Sequence, residues 1–66
     1  MINWRHLNKR RETAQQHPTK RTIAAWERAI DAAIPLVESR MDAQSLMMHG
    51  RACLDLRQSL RKENAA

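Results

Sequence analysis

The sequence predicts an all-α fold: an antiparallel helical hairpin preceded by a short basic N-terminal helix. Two observations carry that expectation. Apolar residues recur at three-and-four spacing through the middle and C-terminal parts of the chain, the period of one face of an α-helix. Composition agrees, because Ala, Leu, Arg, Gln and Met are plentiful, the only aromatics are Trp4 and Trp26, and the 66 residues include one glycine and two prolines. That mixture favours helix over strand.

The first element runs from Asn3, a natural N-cap, through Trp4, Leu7 and Lys9-Arg10-Arg11 to Gln16. Trp4, Leu7 and Ala14 fall at helical spacing, but Arg11 stands where a fourth apolar residue would complete the face. A short helix that leans on its neighbour is expected. His17-Pro18-Thr19 should end it, since proline biases the preceding residue away from helix and Thr19 can cap the next helix.

The second element is the best defined. Ile23, Trp26, Ile30, Ala33 and Val37 repeat along one face, and Ile34 and Met41 widen it, which predicts a helix from Thr19 to about Arg40. Pro35 lies inside that span, where it removes a backbone donor and clashes with the carbonyl four residues back. A kink rather than a stop is expected, because Leu36 and Val37 carry the apolar content on with no turn residue before Ser39. The third helix is expected to start near Asp42 as N-cap and to reach about Lys62. Leu46, His49, Cys53, Leu56 and Leu60 share one register, and Met47, Gly50 and Leu54 lie alongside. Gly50 leaves open a boundary at His49, since glycine often sits just past a helix end.

These elements make one domain: a basic helix or arm over 1–18, a hairpin over 19–62 and a frayed tail over 63–66. A chain this short buries only about 60% of its unfolded surface, so something must add to its core. The lone Cys53 cannot form an intrachain disulfide, which leaves oligomerisation. Ile2, Trp4 and Leu7 are too few large apolar groups to cover two hairpin arms. A homodimer pairing as a four-helix bundle is therefore expected, with a small three-helix bundle as the alternative. Trp26, Ile30, Met47 and Leu54 are the expected interface residues.

Charge supplies the functional expectation. Arg5, Lys9, Arg10, Arg11, Lys20 and Arg21 face a single acid, Glu12, in the first 21 residues, whereas six bases and six acids cancel from Thr22 onward. Such a basic end attracts nucleic-acid phosphate, DNA or RNA, by releasing condensed counterions. A helix-turn-helix centred on Gly50 fails, since Leu46 falls where a small residue is needed, and Ser45 and Ser59 fall at core positions.

No enzyme, cofactor or metal site is expected. His49 and Cys53 sit four apart, but two ligands do not make a metal site, and no orienting group or oxyanion donor accompanies them for catalysis. The chain has no apolar run of the roughly 20 residues that span a bilayer. The unpaired cysteine and the absence of a secretory pattern at Met1–Arg5 point to the cytoplasm. The function these features predict is a small non-enzymatic regulator of the kind bacteria, phages or plasmids use, contacting nucleic acid through its basic N-terminal segment. The alternative is a protein-protein adaptor or inhibitor that binds a host protein through a Met-rich helical face. Membrane-surface association through Ile2, Trp4 and Leu7 ranks behind both.

Overall fold

Local capping chemistry sets where each helix begins. The Asn3 side chain accepts the His6 backbone N–H at 3.1 Å, which starts α1 (Trp4–Gln16). Thr19 opens α2 (Lys20–Ala33) by accepting from the Thr22 N–H, while Thr22 Oγ1 accepts from the Thr19 N–H at 3.0 Å and donates to the His17 carbonyl at 2.6 Å. This reciprocal box satisfies backbone groups that a helix start would otherwise leave unpaired. It also fixes the α1–α2 turn. The computed structural model describes residues 1–65, with no strand among them, and its remaining elements are a 3-10 turn (Ile34–Leu36) and α3 (Arg40–Ala65).

Pro35 ends α2 instead of kinking it. The Ile34 N–H makes the last regular bond, to Ile30, and Pro35 has no N–H to offer Asp31. The chain tightens into the 3-10 turn, and Val37 turns extended at φ −65° and ψ 123°. Val37 still packs against the core, so its apolar character serves a turn rather than a longer helix. The start of α3 also differs from expectation. Ser39 is the cap, its Oγ accepting the Asp42 N–H at 3.1 Å, and Asp42 reaches back to accept the Glu38 N–H at 3.3 Å. Asp42 thus sits in the first turn, where a carboxylate is favoured by the helix dipole.

Gly50 does not end a helix, because α3 runs straight through it for 26 residues. At 1.5 Å per residue that is about 39 Å, close to the 42 Å long dimension of the molecule. The tail expected to fray at 63–66 is helical through Ala65, and Ala66 lies outside the described residues.

The core gathers Ile2, Leu7, Ala14, Ile23, Trp26, Ile30, Ala33, Leu46 and Cys53, with Trp26 and Leu7 as the largest wholly buried side chains. Burying a leucine contributes about 1.5–3 kcal/mol. Here α1 covers α2 within one chain, which the count of its large apolar residues did not predict. Leu7 packs beside Ala25, Ala29 and Ala33, and these small residues let the helices approach closely. The contacts of α2 with α3 run antiparallel: Ile23 lies against Cys53, and Trp26 against His49.

Trp26 and Ile30 are therefore spent inside the chain's own core, at 0% and 8% exposure, and offer little surface to a second copy. Met47 and Leu54, the other expected interface residues, are exposed at 70% and 51%.

Candidate nucleic-acid interface

All six bases singled out in the sequence are exposed. None is consumed by an ion pair, since the single salt bridge among the described residues joins Arg57 to Glu27. The fold does not gather them into one patch. Arg5 and Lys9 line a shallow depression on the outer side of α1 with Asn8, Glu12, Thr13 and Gln16. Arg10 lies at the α1–α2 edge, where it shares a depression with Arg28 and His6. Arg11 lies at the opposite edge beside Trp4, Met48 and His49. A run of three consecutive bases on a helix must scatter in this way, because each residue turns the direction by about 100°.

Lys20 is brought instead to the seam between α2 and α3, together with Arg57 and Arg61. Arg21, one residue on, is exposed but lines none of these depressions. Arg57 donates from one guanidinium nitrogen to both Glu27 carboxylate oxygens at 3.3 Å, which leaves its other N–H groups free. Sequence reasoning missed Arg28, Arg57 and Arg61. Arg57 and Arg61 stand four apart, the spacing of one helix face, but only the packing register of α3 on α2 could reveal that this face adjoins Lys20.

Where α1, α2 and α3 meet, His49 is clasped between two indoles. The Trp26 Nε1–H donates to His49 Nδ1 at 3.1 Å, with the rings edge-on at 5.9 Å and 81°. Trp4 stacks on the imidazole at 6.2 Å and 26°. An accepting Nδ1 requires the neutral imidazole. Burial, and secondarily the Arg11 charge, hold the His49 pKa below its ordinary value. Trp4 thereby faces the core, and Ile2 and Leu7 are buried with it, so the apolar trio of the membrane-surface reading is turned inward.

His49 and Cys53 do not converge on a common point. The Cys53 thiol donates weakly to the Ile23 carbonyl at 3.9 Å, and burial first, then Glu27, pushes its pKa up. A raised pKa lowers the thiolate fraction that a nucleophile or metal ligand needs. Among the described residues no three His, Cys, Asp or Glu side chains are grouped to hold a metal ion. No described helix is long and apolar enough to cross a membrane. Comparison with protein-family models, curated proteins and solved structures finds no match to this chain.

Proposed function

We propose that this chain is a small non-enzymatic binding protein that contacts nucleic-acid backbone through the exposed bases of α1 and the start of α2. The observation that carries the reading is the absence of internal partners for Arg5, Lys9, Arg10, Arg11, Lys20 and Arg21 on rigid, solvent-facing helices. Cations engaged in surface ion pairs would lose part of their attraction for phosphate, whereas these retain theirs. Scattered bases suit phosphate contact without base readout, which supplies affinity but no sequence information.

The test is fluorescence anisotropy of a random DNA duplex across a salt series, comparing the wild-type chain with Arg5→Gln/Lys9→Gln/Arg10→Gln. Each phosphate contact contributes about 0.9 to the slope of log affinity against log salt, so three lost contacts should flatten it by roughly 2.7. An unchanged slope and affinity in the folded variant would remove the basis of the reading.

A second reading is supported by a separate observation. Met41, Met47 and Met48 are 70–77% exposed, and Leu54 accompanies them on α3. Flexible thioethers suit an adaptable protein contact. Pairing with a host protein or with a second copy of the chain would use this surface, and Met47→Asp in a folded variant should abolish such a contact. Retention of the same partner by that variant counts against it.

A further inference from the structure

The cationic side chains divide between two faces that point in opposite directions. On α1, Arg5 and Lys9 lie about 170° around the helix from the buried Leu7 and Ala14, so they face away from α2. On α2, Lys20, Ala24 and Glu27 lie about 170° from Ala25, Ala29 and Ala33, the side that α1 covers. The seam where Lys20 meets Arg57 and Arg61 is therefore on the far side of α2 from α1. Glu27 neutralises one of the three seam cations through Arg57, leaving a net charge of two there, comparable to that of Arg5 and Lys9.

The molecule between these faces is only 17 × 15 Å in cross-section. A DNA duplex with a persistence length of about 50 nm does not fold around a body that thin. One duplex can therefore occupy one face, and the second face remains open to another. We propose, resting on the nucleic-acid reading above, that the protein bridges two double-helical segments, with Arg5 and Lys9 on one and Lys20, Arg57 and Arg61 on the other. Glu27 acts as a positioning residue that holds the Arg57 guanidinium at the seam. Each face alone is weak, because two or three phosphate contacts give small affinity. Occupying both tethers two duplexes through one chain.

The experiment uses a bead-bound duplex, a free fluorescent duplex and the purified full-length chain at low salt. Capture of the fluorescent duplex should rise with protein and then fall in excess, when every duplex is separately covered. Arg57→Gln/Arg61→Gln and Arg5→Gln/Lys9→Gln should each reduce capture at least about tenfold. Their affinity for a single duplex in solution should fall only severalfold, since one face remains. Arg61→Gln alone, at an exposed position, serves if the seam double variant melts below the assay temperature. Undiminished capture by the seam variants would overturn the proposal, as would tight single-duplex binding by the wild-type chain without capture. No duplex binding by the wild-type chain would instead refute the nucleic-acid reading on which the proposal stands.

Discussion

Replacing Gly50 with alanine should stabilise the fold, and the size of the effect comes from its surroundings. Gly50 lies ten residues after the start of α3, so it is neither cap nor terminus. It does not have a positive φ that would demand glycine, and a Cβ added there meets no atom within 4 Å. Helix propensity is then the only contribution that changes, and alanine gains about 0.8–1.0 kcal/mol over glycine in a helix interior. An unfolding entropy of about 2.1 cal/mol/K per residue gives roughly 0.14 kcal/mol/K for a chain of this size, so the melting temperature should rise by about 6–7 °C. Circular dichroism melts at two protein concentrations measure it and simultaneously report self-association, because the Tm of a dimer depends on concentration. A lowered or unchanged Tm would refute the reasoning. It would mean either that α3 is not continuous through Gly50 or that another molecule occupies the space above it.

Three other perturbations test separate parts of the fold. Leu7→Ala removes a wholly buried side chain that holds α1 on α2 and should cost about 2–5 kcal/mol by urea denaturation; a loss below about 1 kcal/mol would mean that α1 is not docked. Thr19→Ala breaks the capping box and should cost about 0.5–2 kcal/mol, read as a lower Tm with an unchanged helical spectrum. His49 is neutral in the fold with a pKa below its unfolded value, so the unfolded chain binds a proton first as pH falls. Its contribution to stability is complete above about pH 6.5 and is lost as pH drops toward the folded pKa. Urea midpoints from about pH 7.5 down to about pH 5 should therefore decline, and a flat profile would show that the imidazole does not need its proton-free Nδ1.

The start of α1, the Thr19 cap and the core face of α2 were legible in the sequence because each rests on local chemistry. Asn3 and Thr19 act on N–H groups three residues away, and Ile23, Trp26, Ile30 and Ala33 face inward at the spacing that predicts it. The errors arose where tertiary context decides. Leu36 and Val37 look like helix continuation when only hydrophobicity is read, but Val37 reaches the core from an extended backbone after Pro35. The covering power of α1 was underestimated because only its large apolar residues were counted. Ala14 at 0% exposure, set against the alanines of α2, does part of the covering.

The candidate interface was half legible for a related reason. Charge is visible in a sequence, but direction is not: Lys9, Arg10 and Arg11 are neighbours in the chain and lie in three different surroundings in the fold. Their directions are fixed by the docking of α1, which depends on Leu7 in the core and on Trp4 stacked over His49. The same docking sets Arg5 and Lys9 opposite the Lys20–Arg57–Arg61 seam, since α2 carries α1 on one side and opens the seam on the other. Core packing and charge display are consequently one problem in this chain. A variant that loosens α1 leaves every cation in place and abolishes the fixed opposition of the two faces, so it should retain salt-dependent duplex binding while losing the rigid spacing between bridged segments.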